Sequence, residues 1–376
     1  MILNALKFLI LFFLLCNIPG YMLAYFGAGL GSLSSYISSL LLLAYYFLVK
    51  ERNSALYPFV LLGLSYFLIS AINYDRVDLN NYFIKEFIRT MIVIFCGAEV
   101  LFKTNSKDIY FIVLIGAISV IINAFVFPLA NANFYPTYGR YSGFYLNPNY
   151  AGSICLIGYA LSYSFRDIWK MIGLAVFTLA GILTFSRTFI IIWLVISTFA
   201  IINDKKNLLI PAIGALVLVL VFTFSDILTL NRERFDALES VFSNSQTQTT
   251  TITKDSRIQT WAKYYDLIFD KPFLGNGFES FQKKKAGFPG VHNSYLMVIG
   301  EAGIFPFLIL IGIYFFLLKK TTQYFKSYPE YFFLTSVLIL SLSANHGYFD
   351  NFYIITLSMF LFIQAKNFPL VKTSNN

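Results

Sequence analysis

Charged side chains are scarce in this chain, and their scarcity excludes a soluble globular fold. Only 12% of the 376 residues are charged and 57% are hydrophobic, which is more apolar sequence than a single soluble core could bury. The apolar residues form runs close to the roughly 17 to 25 residues with which a helix crosses a bilayer. We therefore predict an all-α fold, a polytopic membrane bundle of about twelve transmembrane helices.

Cysteine and the familiar catalytic motifs are also rare or missing. The three cysteines, Cys16, Cys96 and Cys155, fall within predicted spans far apart in sequence, which excludes a disulfide framework or a metal cluster. The sequence contains no Walker loop, no HExxH motif and no nucleophile elbow. Asp75 and Asp78 are a weak pair of metal ligands, and a solvated loop explains them better. We predict neither a metal nor a cofactor.

The apolar runs divide the chain into three parts. Residues 1–224 hold nine predicted spans, residues 225–293 form a long polar loop with amphipathic helical segments, and residues 294–376 hold three further spans and a tail. The predicted spans are 2–18, 31–49, 55–72, 87–102, 109–129, 150–165, 168–185, 189–202, 208–224, 294–318, 331–345 and 352–363. One long loop among short joints indicates that the chemistry lies on one face of the membrane.

Lysine and arginine are distributed unevenly between the two sides of the predicted bundle. If the N-terminus is cytoplasmic, the joints on that side carry fourteen of them. The short joints on the other side carry five, namely Arg76, Lys85, Arg89, Arg140 and Arg187. Cytoplasmic joints are the positively charged ones, so both termini are predicted to be cytoplasmic and the long loop external. The formal net charge of +9 reflects this topology, and we assign the chain no nucleic-acid partner.

Arg140 lies in a glycine-containing loop that leads into the sixth predicted span. Asn147-Pro148 is a turn signal, and Asn149 is placed to cap the helix that follows. Helix N-termini attract anions, so an arginine beside a helix start would suit a phosphate group. The alternative is an ordinary capped re-entry into the membrane, and spacing alone does not separate the two.

Arg187 follows Ser186 in the polar break between the seventh and eighth predicted spans. An arginine at hydrocarbon depth costs about 2.5 to 3.5 kcal/mol on insertion scales, so it requires the membrane interface or a polar cavity. Snorkelling to the interface is the simpler explanation. We favour the cavity, because other cations are predicted at the same depth.

Arg257 stands in the first turn of an amphipathic helix predicted to run to Asp270. Apolar residues recur there at helical spacing and form one face: Ile258, Trp261, Tyr265 and Ile268. That face can lie on the membrane surface or pack over the spans. The helix dipole disfavours a cation in the first turn, which indicates a partner for Arg257 outside the helix. A surface ion pair with Asp255 is the alternative.

The chain has two histidines, His292 and His346, and the topology places both at the external surface. Histidine is the side chain best suited to accept a proton near neutral pH, and His292 precedes Asn293 at the mouth of the tenth predicted span. Glu301 lies nine residues beyond His292, which on a continuous helix is a rise of about 13.5 Å and the opposite side. Glu301 is therefore predicted to pair inside the bundle, because a carboxylate in the membrane needs a partner.

In this order, these segments resemble the O-antigen ligase and O-antigen polymerase superfamily of bacterial envelope glycosyltransferases. The resemblance covers most of the chain, and the order and shared face of its motifs are more specific than any one of them. It rests on Arg140-Tyr141-Ser142-Gly143 with Asn147-Pro148-Asn149, Ser186-Arg187, Arg257 with Trp261 and residues 272–277, and His292-Asn293-Ser294-Tyr295-Leu296 with residues 301–303.

The resemblance implies a metal-independent, inverting transfer of a glycan from an undecaprenyl diphosphate carrier to a sugar hydroxyl, at the periplasmic face of the bacterial inner membrane. It implies that His292 is the catalytic base. Three arginines would bind the diphosphate and four residues would support the site: Arg140, Arg187 and Arg257, with Asn149, Ser186, Asn293 and Glu301. The chemistry agrees, because a diphosphate leaving group needs cations, and the arginine fork binds phosphate oxygens at two points.

The two branches of the superfamily differ in acceptor. A polymerase extends another lipid-linked repeat unit of O-antigen or capsular polysaccharide, whereas a ligase attaches the chain to the lipid A core. The pattern from Arg257 to Asn293 favours a polymerase. The expected partners are the lipid-linked donor, the glycan or lipid A core acceptor and membrane lipids, with a chain-length regulator and a flippase as further candidates. The rival is a transporter or flippase of lipid-linked oligosaccharides, which an internal repeat would indicate, and the two halves show none.

Overall fold

The computed structural model describes residues 2–74, 82–209, 214, 216, 257–283 and 288–368. Within these residues the chain is helical and contains no strand. The α-helices are α1 (Ile2–Leu15), α2 (Ile18–Phe26), α3 (Ala28–Leu48), α4 (Tyr57–Ser70), α5 (Tyr82–Phe102), α6 (Ser106–Phe125), α7 (Pro148–Leu161), α8 (Ile168–Leu183), α9 (Arg187–Asn203), α10 (Arg257–Asp270), α11 (Ser294–Ala302), α12 (Ile304–Gln323), α13 (Pro329–Leu342) and α14 (Phe352–Lys366). The predicted all-α class is confirmed for the part of the chain described.

Three of these helices, α3, α6 and α12, are long and apolar enough to cross a membrane. Helices α1 and α2 together make a fourth candidate, with a bend of 62° between them. Five shorter apolar helices belong to the same bundle: α4, α8, α9, α13 and α14. The architecture agrees with a helical membrane protein, whereas the predicted number of twelve spans is not confirmed.

The tenth predicted span, residues 294–318, is not continuous. Gly303, at a φ of 78°, separates α11 from α12. A Cβ at Gly303 would lie 2.0 Å from the carbonyl oxygen of Phe273, and the Ile304 amide donates to the Pro272 carbonyl at 2.8 Å. The prediction of one helix here is wrong, because the backbone of the loop segment inserts where the helix would continue, and glycine alone leaves the room.

The core of the bundle is built around α7, which packs against α6, α8, α9 and α13. Every residue of α7 from Ala151 to Leu161 is buried. Gly158 allows a close approach to α8, since a Cβ there would lie 2.1 Å from the ring of Phe177. Small residues let membrane helices approach closely enough to pack in the absence of a hydrophobic drive. The packing of α7 on four neighbouring helices therefore fixes the position of its first turn, which contributes residues to the site described below.

The amphipathic helix α10 packs over the bundle, which is one of its two predicted placements, but with a different face. Tyr264 and Ile268 are buried and Trp261 is half-buried, whereas Tyr265 is 42% exposed. The assignment of Tyr265 to the packing face is wrong. At 100° per residue Tyr264 and Tyr265 lie about equally far from the line joining Trp261 and Ile268, on opposite sides of it, so helical spacing does not choose between them and the packing of the loop segment does. The side chain of Ile258, placed on that face as well, lies outside the described part of the structure.

Several predictions fall outside the described ranges. They concern most of the ninth span, the loop from 225 to 256 including Asp255, and the pair Asp75 and Asp78. These remain predictions.

Candidate functional site

Three helices begin at one end of the bundle with the same local structure. Each has a capping residue in front of it whose side chain accepts backbone N–H groups of the first turn: Asn147 for α7, Ser186 for α9 and Asn293 for α11. Each cap follows a non-glycine residue with positive φ, at Leu146 (59°), Phe185 (48°) and His292 (48°). Such residues are uncommon and strained, and they cluster at functional sites.

The cap of α7 is Asn147, not Asn149 as the sequence suggested. The Asn147 side chain accepts the Asn149 amide at 2.9 Å, and Pro148 takes the first helical position, where its fixed φ and missing N–H cost nothing. The Asn149 side chain is thereby available for other contacts. Its Oδ1 atom accepts from Arg140 Nη2 at 3.0 Å and from Ser186 Oγ at 3.2 Å.

Arg140, Asn149 and Ser186 form what we call the buried cluster. The side chain of Arg140 is 3% exposed and donates from three nitrogens: from Nε to the Thr184 carbonyl at 2.9 Å, from Nη1 to the Tyr138 hydroxyl at 3.1 Å, and from Nη2 to Asn149. A desolvated guanidinium with protein acceptors on every nitrogen holds the loop before α7 against the α8–α9 joint. The structure thus brings three of the predicted site residues together.

Arg187 and Arg257 form a second, exposed group, here called the arginine rim. Arg187 is the first residue of α9 and its side chain is exposed. Arg257, exposed at the start of α10, donates from Nη2 to the hydroxyl of Thr188 at 3.3 Å. A contact from Arg257 to another segment agrees with the predicted partner outside its own helix. The guanidinium of Arg257 therefore lies at Thr188, the residue next to Arg187 in the first turn of α9.

Helix α10 also fixes the segment before His292. One turn beyond Arg257, the Trp261 indole donates to the Val291 carbonyl at 3.0 Å, and the Tyr264 hydroxyl donates to the Pro289 carbonyl. Four helical residues rise about 6 Å, so the same short helix contacts the arginine rim and the residue next to His292. Through α10, the start of α9 and the residue before His292 are thus contacted from one helical turn to the next.

His292 and His346 lie against each other, with ring centroids 4.7 Å apart, and we call them the histidine pair. The backbone amide of His292 donates to His346 Nδ1 at 3.1 Å. Burial, and then the neighbouring His292, lower the pKa of His346 to about 4, so its ring is neutral near pH 7. His292 is the exposed member of the pair.

A chain of hydrogen bonds joins the buried cluster to the histidine pair. Ser153 Oγ donates to the Asn149 carbonyl at 3.1 Å, and Asn345 Nδ2 donates to Ser153 Oγ at 3.3 Å. The Asn345 carbonyl then accepts from Ser294 Oγ at 2.6 Å. Asn345 precedes His346, and Ser294 follows the cap Asn293, so helices α7 and α11 and the turn after α13 are locked in register.

Glu301 has the partners inside the bundle that its depth required. Its carboxylate accepts from the Tyr66 hydroxyl at 2.5 Å, the Phe281 amide at 2.9 Å and Gln282 Nε2 at 3.0 Å. The expectation that Glu301 pairs elsewhere than with His292 is confirmed by these bonds. Its carbonyl also accepts from the Gly277 amide at 3.1 Å, so Glu301 anchors the loop segment 272–283 onto α11.

Sequence reasoning missed Ser153, Asn345 and Thr188, which connect the groups. Ser153 and Asn345 are polar residues inside or at the end of apolar runs, and that placement is the signal that could have identified them. The sequence placed both histidines at the external surface but gave no sign that the two rings lie against each other.

The electrostatics of this end of the bundle suit an anion beside a proton acceptor. It combines two exposed guanidinium groups, three capped helix N-termini and an exposed imidazole. Among the residues described, no group of three histidine, cysteine, aspartate or glutamate side chains is placed to hold a metal ion.

Residues 172–311 match the family model described as O-antigen ligase. The matched range contains Ser186, Arg187, Arg257, His292 and Glu301, whereas Arg140 and Asn149 lie outside it. The match confirms the predicted resemblance to the O-antigen ligase and polymerase superfamily. No curated protein and no solved structure matches the chain significantly.

Proposed function

We propose that this chain is a membrane glycosyltransferase that moves a glycan from an undecaprenyl diphosphate carrier to a sugar hydroxyl, most consistently as a polymerase of repeat units. The observation that carries the proposal is the position of α10, which contacts the first turn of α9 through Arg257 and the residue before His292 through Trp261. A diphosphate on the arginine rim would thus lie next to the exposed imidazole. The family match supports the same activity class.

In the proposed reaction, His292 removes the proton from the acceptor hydroxyl while its oxygen forms a bond to the anomeric carbon of the donor. The bond between that carbon and the phosphate oxygen breaks, and undecaprenyl diphosphate leaves with the electron pair. Arg187 and Arg257 offset the charge that develops on the leaving group, and the nearby helix N-termini add to this. An in-line attack gives inversion at the anomeric carbon. No added acid or metal is required in this scheme.

Arg140 has a different role in the proposal. Its guanidinium is buried and donates to Thr184, Tyr138 and Asn149, so we assign it to holding Asn149 and Ser186 at the starts of α7 and α9. Arg140 would therefore affect diphosphate binding only indirectly, by fixing the positions of these two helix N-termini. In this proposal, the residues that contact the substrate are Arg187, Arg257 and His292.

The test uses purified protein in lipid nanodiscs with the undecaprenyl diphosphate-linked repeat unit of the source bacterium as the only glycan. A polymerase should convert it to lipid-linked dimers and longer chains and release undecaprenyl diphosphate. A ligase should leave it unchanged until lipid A core is added, and the description of the matched family model keeps this second candidate in view. Absence of transfer under both conditions would end the proposal.

A transporter fits the geometry less well. In transporters, broken helices expose their ends to substrate or ions near the membrane midplane. Here the break at Gly303 is filled by the backbone of Pro272 and Phe273. The proposal also places this end of the bundle outside the cytoplasm. Cysteines introduced at Ser245 and Gln248 should then react with an impermeant reagent in intact cells, and one at Lys205 should not. The reverse pattern would overturn the orientation.

A further inference from the structure

Apolar side chains at the end of α10 project away from the bundle. Phe269, in the last turn of α10, is 77% exposed, and no large hydrophobic side chain in the described part of the chain is more exposed. Phe273 is 72% exposed, and Leu274 next to it is exposed as well. Neighbouring apolar side chains with this much exposure indicate a contact with lipid or protein. We call Phe269, Phe273 and Leu274 the outer ridge.

The outer ridge is presented by an ordered backbone. The Gly275 amide donates to the Lys271 carbonyl at 3.0 Å, so the chain makes one further turn after α10 ends. Phe273 thus follows Phe269 at a spacing of four residues, which places two side chains on the same side of a helical turn. The exposure of the ridge is therefore a property of the fold.

The exposed side chains of α10 divide into an apolar side and a polar side. Phe269 lies about 100° around the helix from the buried Ile268, and Asp270 lies about 100° further on. The polar side is formed by exposed residues of all four helical turns: Gln259, Lys263, Asp266 and Asp270. A helix with a packed, an apolar exposed and a polar exposed side fits the edge of a bundle at a membrane surface, where protein, lipid and water meet.

The outer ridge lies at the start of α12, which is long and apolar enough to cross a membrane. The Ile304 amide, at the first position of α12, donates to the carbonyl of Pro272 at 2.8 Å, one residue before Phe273. The 20 residues of α12 extend about 30 Å, which is the thickness of the hydrocarbon core of a bilayer. Ile304 and the neighbouring ridge therefore lie at one boundary of the hydrocarbon.

The same boundary is where the lipid-facing side of α12 begins. Exposed apolar residues recur along one side of that helix at spacings of three and four: Phe305, Leu308, Ile311 and Phe315. The first of them is two residues from Gly303, and the Phe273 carbonyl lies 2.0 Å from where a Cβ of Gly303 would be. The ridge thus adjoins a surface that a membrane-spanning helix presents to lipid.

The last turns of α10 are also fixed to the bundle. Asn276 Nδ2 donates to the Leu267 carbonyl of α10 at 2.9 Å and to the Gly300 carbonyl of α11 at 3.0 Å. The other end of α10 contacts the start of α9 through Arg257. A contact between the outer ridge and the bilayer would therefore be transmitted to the whole of α10.

We propose that the outer ridge inserts into the boundary between headgroups and acyl chains of the adjacent leaflet and anchors α10 at the membrane surface. Its partner is phospholipid, held by apolar insertion. The charges near the ridge are equal in number, with Lys263 and Lys271 against Asp266 and Asp270, so anionic headgroups are not required. The inference goes beyond the proposed glycosyl transfer and does not depend on it.

The experiment measures the depth of a nitroxide spin label on single introduced cysteines, in protein reconstituted into phosphatidylcholine nanodiscs. The test variants are Phe269→Cys and Phe273→Cys. Asp270→Cys is the matched control, because it is exposed and adjacent to Phe269 but lies on the polar side of α10. Leu308→Cys, exposed on α12, is the lipid-facing reference. The native cysteines are buried, and the chain without an introduced cysteine gives the background signal.

The quantity compared is the collision rate of the label with molecular oxygen, which concentrates in hydrocarbon, divided by that with a water-soluble nickel chelate. Insertion by about 5 to 10 Å should make this ratio at least about fivefold higher at both test positions than at the control, and close to the lipid-facing reference. A ratio equal to that of the control would show that the ridge faces water and would overturn the inference.

Low collision rates with both reagents at the test positions would show that protein, for example a second copy of this chain, covers the ridge, and would overturn the inference as well. An increased ratio that appears only after anionic phosphatidylglycerol is added would overturn the proposed apolar mode of insertion. None of these measurements requires turnover. An inactive protein with an inserted ridge would therefore refute the glycosyl transfer and support the anchor, so the two failures are distinguishable.

Discussion

Arg140 and Arg187 both lie at the start of α9, and their surroundings are opposite. Arg140 is 3% exposed and bonded to protein acceptors through each of its nitrogens, whereas Arg187 is exposed at the first position of α9. The comparison separates scaffold from chemistry. The buried cluster fixes where the helices begin, and the exposed groups that it positions, the arginine rim and His292, are the ones that a substrate can reach.

The largest expected effect is on His292, the exposed member of the histidine pair. Replacing it with alanine should lower the transfer rate by about 10² to 10⁴ while donor binding is retained, because the removal of a positioned base costs that much. The measurement is turnover of the lipid-linked donor by purified protein. Tyr265→Ala, an exposed change on the outer side of α10, is the control and should retain activity.

His346, the other histidine of the pair, cannot serve as a control for that experiment, because it contacts His292. Its Nδ1 atom accepts the His292 amide, so His346→Ala should also impair transfer, whereas His346→Gln should retain more of it through the amide oxygen. Full activity of the His292→Ala variant together with an inactive His346→Ala variant would move the base to His346.

The next largest effect concerns the arginine rim. Arg187→Lys and Arg257→Lys should each reduce kcat/KM by roughly tenfold to a hundredfold although the charge is kept, because a lysine cannot bind two phosphate oxygens as the guanidinium fork does. Arg166→Lys, an exposed change in the joint between α7 and α8, is the matched control. Wild-type kinetics in both rim variants would leave these arginines an electrostatic role at most.

A change at Arg140 should act on stability instead. Arg140→Met removes the side-chain donor of the buried Thr184 carbonyl and one of the two donors to the Asn149 amide oxygen, and a buried unpaired group costs about 1 to 3 kcal/mol. We expect a clearly lower melting temperature for Arg140→Met and an unchanged one for Arg187→Met. If Arg140→Met melts like the wild type but no longer binds donor, Arg140 contacts the diphosphate directly and the scaffold role is wrong.

The sequence predicted the helical class, because that depends on hydropathy. It also predicted that Glu301 needs a partner, because a charge in lipid is costly. It could not predict the cap at Asn147, since Asn147 and Asn149 flank the same proline and the choice is made by backbone geometry. The break at Gly303 was equally out of reach, because it depends on the carbonyl of Phe273, thirty residues away in the chain. Local propensity does not register contacts of that kind.

The smallest expected effect is the pH dependence of stability that His346 contributes. Its pKa is lowered from an ordinary 6.5 to about 4 by burial and by His292, and the neutral ring accepts the His292 amide. As the pH falls from 6.5 toward 4, the unfolded chain takes up a proton at this position and the native chain does not, so acid favours unfolding over that window. The stabilising contribution is present above pH 6.5 and lost as the pH falls through 4.

His346→Gln removes the titrating group and keeps an acceptor for the His292 amide, so it isolates this contribution from the carboxylates that titrate in both proteins. The measurement is the melting temperature of the wild type minus that of the variant. This difference should fall as the pH is lowered from 7.5 to 5, because only the wild type carries the titrating group. Parallel curves over that interval would mean that His346 titrates alike in the folded and unfolded chains. His346 would then be as accessible to water as the arginine rim. The contrast between buried supporting residues and exposed reactive residues would not hold within the histidine pair.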